Sequence, residues 1–146
     1  MAIRNIVKIG DDVLRKVCRT QTTFDDKLST ILDDMAETMY KAEGVGLAAP
    51  QVGILRRYCV IDVQDGEGIL ELVNPVIESK SGLQVGSEGC LSVPDRFEEV
   101  KRPMKVTVRA QDRNGNNFTI TAEGFKARAL CHEIDHLDGI LYIDRI

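Results

Sequence analysis

Apolar residues recur along this chain with two different periods, and the changes of period divide it. Between about Thr23 and Glu43, Phe24, Leu28, Ile31, Leu32, Met35 and Met39 return every three or four positions, the spacing that lines one face of a helix. Gly44 ends the pattern, as a glycine just past a helix C-terminus does. A helix over 23–43 is predicted, with its Met and Phe stripe in the core. Upstream, Asp11 can cap a short helix through Val13, Leu14 and Val17 that pins the N-terminal segment. From Arg57 onward the period drops to two. Runs at 58–63, 69–73, 76–79, 83–85, 105–110 and 117–121 lie between Asp-Gly, Gly and Asn-Gly punctuation, which predicts short antiparallel strands. Asn114-Gly115 is the clearest hairpin turn.

The helical period returns near the C-terminal end. Thr121 is a good cap, and Gly139 is a good stop, so a last helix is predicted between them. On its wheel, Ala127, Leu130, Ile134 and Leu137 form one stripe, while Phe125, Ala129, His132 and His136 form a second. A helix apolar on two sides belongs at the centre of a fold. The elements together predict an α+β fold with mixed or antiparallel short-stranded sheets packed around this central C-terminal helix, and with helices at the N-terminal end. Two segments are read as connections. GVGLAAPQVG, Gly44 to Gly53, is an extended stretch whose small residues let a backbone or ligand approach closely. SEGCLSVPDRF, Ser87 to Phe97, is a loop around Cys90.

Composition narrows the function classes. A chain of 146 residues, 43% hydrophobic, buries a sizeable core and calls for one domain over 1–146. A net charge of −4 with no long basic run argues against a nucleic-acid surface. Charges interrupt the apolar residues of MAIRNIVKIGDDVLRK before a signal core forms, and no later run reaches membrane-spanning length, so a cytoplasmic location is expected. The four cysteines, Cys18, Cys59, Cys90 and Cys131, show no CxxC spacing. Disulfides are therefore disfavoured, and most of the thiols are expected to be buried.

The candidate chemistry lies in LCHEIDHLDG, Leu130 to Gly139, which holds both histidines of the chain. His132 and His136 are four residues apart and so lie one above the other on a helix, where two imidazoles can converge on one divalent metal. Glu133, beside the first, is placed to act as general base toward water. A catalytic metal site takes a third protein ligand and keeps a fourth position open. Cys90, flanked by glycine, is the best candidate: Cys18 and Cys59 occur in apolar segments, and Cys131 points about 100° away from His132.

Three motifs in order make the chain similar to the peptide deformylase family. GVGLAAPQ, Gly44 to Gln51, resembles the family's GxGLAAxQ; EGCLS, Glu88 to Ser92, matches its second motif letter for letter; HEIDH, His132 to His136, matches HExDH. The opening IVKIGDDVLRK, Ile6 to Lys16, also resembles the family's N-terminal segment, so the resemblance runs nearly end to end. It implies a hydrolase that removes the formyl group from N-formylmethionyl peptides and releases formate. It also implies Cys90, His132 and His136 as metal ligands, Glu133 as proton relay, and the Gln51 side-chain amide with the Leu91 backbone N–H as oxyanion donors. Substrate would be read as an added strand near Val45 and Gly46, its methionine side chain in an apolar pocket that Phe125, Ala129 and His132 could line from one helix face. A supporting ion pair between Glu88 and Arg102 is implied as well.

Ligand softness and geometry point first to zinc at a Cys-His-His site. The resemblance implies ferrous iron as the native metal, replaceable by nickel, cobalt or zinc. Implied partners are N-formylmethionyl nascent peptides and, for relatives with a further C-terminal helix past the position of Ile146, the ribosome. Cys131 departs from the pattern, standing where the family has Gln before HExDH. Two other readings compete: a thiol hydrolase with Cys90 as nucleophile, His132 as base and Asp135 orienting it, and a metal-stabilised protein that binds N-terminal methionine without turnover.

Overall fold

The computed structural model describes residues 2–146. Its first regular element is a single 3₁₀ turn, Asp12–Arg15, followed by helix α1, Asp26–Lys41. Seven strands come next: β1, Gly46–Ala48; β2, Tyr58–Ile61; β3, Leu70–Ser81; β4, Gln84–Cys90; β5, Val93–Arg102; β6, Lys105–Gln111; and β7, Asn117–Glu123. Helix α2, Gly124–Leu137, and a 3₁₀ turn at Tyr142–Arg145 complete the chain. All strand pairings are antiparallel. One sheet has the order β1-β2-β3-β6-β7, and β4 and β5 form a separate hairpin. This is the expected α+β architecture.

The five-stranded sheet is covered on both faces at β1 and β2, while β6 and β7 keep one face open, and β2 shows why. Tyr58 and Val60 meet Leu28, Leu32, Met35 and Met39 of α1, while Cys59 and Ile61 join Ala127, Leu130, Ile134 and Leu137 of α2. Alternate side chains of a strand point to opposite faces, so a strand between two helices reads as a continuous apolar run. Helix α2 is thus held between the sheet and the β4–β5 hairpin, whose Val93 and Val100 pack with Tyr142 of the C-terminal turn.

Several boundaries differ from the sequence expectation, each for a local reason. The Asp11 carboxylate does cap the first turn, but Lys16 N–H closes on Val13 in a 3₁₀ bond, and Cys18 N–H then reaches Leu137 in extended conformation. Leu14 alone of the three expected residues is buried, and Val17 is exposed. Helix α1 starts at Asp26 rather than Thr23, because Asp25 supplies the cap by accepting from Leu28 N–H. The two runs at 69–73 and 76–79 belong to one strand, β3. The break between them is a bulge at Asn74-Pro75, where Asn74 takes a φ of 51° and its amide binds both backbone groups of Gln21. Thr121 does not cap α2, since it is paired with Thr107 inside β7, and Glu123 takes that position. Asn114-Gly115 does lie in the β6–β7 turn, a five-residue connection whose Asp112 carboxylate accepts from Asn114 and Asn116 N–H.

The largest revision concerns 87–97. The expected loop is a β-hairpin, with Gln84 paired to Arg102 and Glu88 to Glu98. Glycine, serine and glutamate carry little intrinsic strand preference. The pairing is made by backbone and held by the apolar contacts of its inner side.

Candidate metal centre

Cys90 ends β4, at a register shift beyond Glu88. His132 and His136 stand one turn apart on α2. The hairpin closes over the helix so that the Cys90 Sγ lies 3.3 Å from His136 Nε2, and ligand atoms of all three residues fall within 4.8 Å of one another. A tetrahedral ion with a sulfur at ~2.3 Å and a nitrogen at ~2.1 Å separates these two atoms by about 3.6 Å. The donor set and its spacing fit a divalent metal.

The surroundings reinforce that fit. His132 Nδ1 bonds Glu88 Oε1 at 2.8 Å, which turns Nε2 toward the cluster, the arrangement that orients metal-bound imidazoles. The ring also stacks on Tyr142, whose hydroxyl donates to the Arg96 carbonyl. Glu133 is buried, with Oε2 at 3.9 Å from His132 Nε2 and Oε1 without a hydrogen-bond partner among the described residues. A buried carboxylate oxygen left unsatisfied is costly, and here it lies beside the ligand cluster.

Burial sets the protonation states. It pushes Glu133 up to about 7, with the His132 charge pulling the other way and Glu88 and Asp135 adding to the rise. A general base works best when poised near the operating pH. Burial, with His132 beside it, holds His136 well below the usual imidazole range, so its nitrogen is free to ligate. Burial also opposes charge on His132, but Glu133, Cys90 and Glu88 outweigh it and raise it to about 10. A metal there displaces a proton, so binding is coupled to pH. Burial would raise Glu88, yet Arg102 and His132 hold it at about 2.

A cavity of about 420 Å³ opens beside the cluster. Of the residues singled out by sequence, Val45, Gly46, Gln51, Cys90, Leu91, Phe125, Ala129, His132 and Glu133 all line it. His136 is fully buried behind Cys90. Gln51 Oε1 accepts from Ala48 N–H, which turns its NH₂ toward Ser92 Oγ at 3.1 Å and Cys90 Sγ at 3.6 Å. Gly46 abuts Glu133 so closely that a Cβ there would fall 2.5 Å from Oε2. Phe125 is more than half exposed and stands at the mouth rather than inside.

Arg102 is buried, not a surface charge. It forks onto both Glu88 oxygens at 2.7 and 2.9 Å and reaches Asp135 at 2.7 Å. Asp135 is thereby committed to Arg102 and Arg145 and does not orient His132, which removes the arrangement that a thiol hydrolase required. Cys131 faces away from the cluster, toward a separate cleft with Lys80, Lys101 and Arg145, and its thiol is raised by burial. Cys18, Cys59 and Cys131 are buried free thiols.

Two features escaped the sequence. Phe97 lies against Gly89 at the cavity wall. Arg128 is buried and donates to Glu88 Oε2 at 2.6 Å and to the Val100 carbonyl at 2.9 Å. Arg128 belongs to neither apolar stripe of the wheel, but its spacing of four from His132 was a usable signal.

Known proteins match the chain along nearly its whole length. A family model described as polypeptide deformylase matches residues 3–146. A peptide deformylase of Caldanaerobacter subterraneus subsp. tengcongensis is 61% identical over 100% of this chain and 91% of its own length. One from Caldicellulosiruptor bescii is 58% identical, covering 100% and 87% respectively. The crystal structure of peptide deformylase from Thermotoga maritima superposes with a TM-score of 0.97 at 44% identity, over 100% of this chain and 99% of that one.

Proposed function

The chain belongs to the polypeptide deformylase family, and we propose how its residues divide the work of that reaction. The enzyme is a metal-dependent hydrolase that removes the formyl group from the N-formylmethionine of newly made polypeptides and releases formate. The observation carrying the assignment of roles is the convergence of Cys90, His132 and His136 beside a buried Glu133 with an unsatisfied Oε1, at the wall of a peptide-sized cavity.

Cys90, His132 and His136 would hold the metal, which supplies Lewis acidity toward water and the formyl carbonyl. Ferrous iron is the proposed native ion, with zinc, nickel or cobalt able to substitute. The partial exposure of Cys90 leaves the thiolate open to oxidation, which would remove it as a ligand. Glu133 takes a proton from the attacking water and returns it to the departing amine, a role suited to its raised pKa and worth ~10²–10⁴ in rate. The Gln51 NH₂ and the Leu91 N–H stabilise the developing oxyanion, each worth roughly 2.7–4 kcal/mol.

Strand β1 is an edge of the five-stranded sheet, so a peptide can add beside Val45 and Gly46 through main-chain bonds, with little demand on sequence. Ala129 and Phe125 flank the space for the methionine side chain. Residues 1–146 act as one catalytic domain on nascent chains delivered by the ribosome, in the cytoplasm. Among the described residues no helix is long and apolar enough to cross a membrane.

Anaerobic release of formate from formyl-Met-Ala-Ser tests this reading. Activity is expected to vanish with a chelator and return with ferrous iron, and Glu133→Ala is expected to keep its metal while losing turnover. Activity indifferent to chelation, or unchanged in Glu133→Ala, would overturn it.

A further inference from the structure

We propose that Arg128 is a positioning residue for the metal centre, locking the Glu88 carboxylate in the orientation that fixes His132. The inference rests on the metal reading above and extends it to a residue outside the three sequence motifs.

Four donors meet on one buried carboxylate. Glu88 Oε1 accepts from His132 Nδ1 at 2.8 Å and Arg102 Nη2 at 2.9 Å, and Oε2 accepts from Arg102 Nε at 2.7 Å and Arg128 Nη1 at 2.6 Å. Arg102 comes from β5 of the same hairpin and reaches α2 through Asp135 at 2.7 Å. Arg128 belongs to α2 itself. It projects from α2 one turn before His132, so both helix donors grip opposite oxygens of the same carboxylate. Glu88 stands two residues before Cys90 on β4. One carboxylate therefore registers the strand carrying the thiolate against the helix carrying the imidazoles, and Arg128 closes that ring.

Packing alone does not account for an arginine here. Its side chain is about 95% buried, and its Nη2 finds no partner among the described residues. A buried cation with an unmet donor is a cost that leucine or methionine would avoid. Gly86 on β4 leaves the needed room, since a Cβ there would stand 3.2 Å from Nη2. Groups that orient metal-bound imidazoles typically change metal affinity 10–100-fold when removed.

Cobalt titration of the metal-free protein tests this, read by the thiolate-to-cobalt charge-transfer band and the d–d spectrum. Arg128→Met is expected to weaken cobalt binding 10–100-fold and to shift the d–d bands, with far-UV circular dichroism retained. In a Glu88→Gln background the same substitution is expected to change affinity less than about twofold, because its route of action is already gone. If Arg128→Met fails to fold, Arg128→Gln carries the same expectations. Wild-type affinity and spectrum in the folded Arg128 variant, or an undiminished loss in the Glu88→Gln background, would overturn the proposal. Absence of a thiolate-cobalt band in the wild-type protein would instead overturn the metal reading on which it rests.

Discussion

Gly46→Ala isolates how closely β1 is fitted to Glu133, the proposed general base. The backbone of Gly46 lies outside the left-handed region, so alanine meets no conformational penalty there and the perturbation is steric. The new Cβ would stand 2.5 Å from Glu133 Oε2 and 2.9 Å from its Cδ and Cγ, where ordinary contact begins at 3.4 Å. The carboxylate must therefore retreat by 3.4 − 2.5 = 0.9 Å, and it is enclosed by α2 and the cavity wall. Misplacing a catalytic group by ~1 Å can cost 10²-fold in rate, and overpacking a buried site costs ~1–3 kcal/mol in stability. Steady-state formate release should show kcat lowered about 10²-fold, with metal content by atomic emission unchanged, because the three atoms nearest the new Cβ all belong to Glu133 and none to a proposed ligand. Added to Glu133→Ala, the same substitution should lower kcat little further. A Gly46→Ala enzyme within threefold of wild-type kcat would refute the reasoning, as would an equal loss in both backgrounds.

Other regions give independent tests. Gly139→Ala places a Cβ 2.5 Å from the Arg15 carbonyl oxygen at a φ of 75°, whereas Gly53→Ala, at a φ of 82°, meets nothing within 4 Å. Urea denaturation should show Gly53→Ala losing only the cost of left-handed backbone, about 1–3 kcal/mol, and Gly139→Ala losing clearly more. Asp34 accepts from Ala2 N–H and from Arg4, and these bonds, the first foremost, hold its carboxyl below the usual range despite burial. A depressed folded pKa stabilises above the unfolded value and loses that contribution as pH falls through the folded one. Asp34→Asn should therefore cost about 1–3 kcal/mol at pH 7, with the gap to wild type closing as pH drops below ~3.9. A gap constant down to pH 2 would refute that assignment.

Much of this molecule was legible in the chain because the relevant signals are local. The stripe from Leu28 to Met39 and the spacing of His132 and His136 follow from helix geometry alone. The wheel of α2 foretold a central helix, and Leu130, Leu137 and His136 are indeed sealed. Boundaries failed where two elements competed for one residue. Thr121 has the chemistry of a cap, yet pairing with Thr107 outranks it.

By itself, then, the sequence singled out the candidates for the chemistry: two imidazoles and a carboxylate on one helix, a thiol within EGCLS, and a glutamine within GVGLAAPQ. Tertiary structure alone decided what holds them together. That β4 and β5 form a hairpin rather than a loop is a backbone pairing with no apolar alternation to announce it. That pairing brings Glu88, Arg102 and Cys90 onto α2. The buried fork of Arg102, the grip of Arg128 on the same carboxylate and the clearance of Gly46 over Glu133 are contacts between distant segments. No local period encodes them, because their energies arise only when water has been excluded from between the segments.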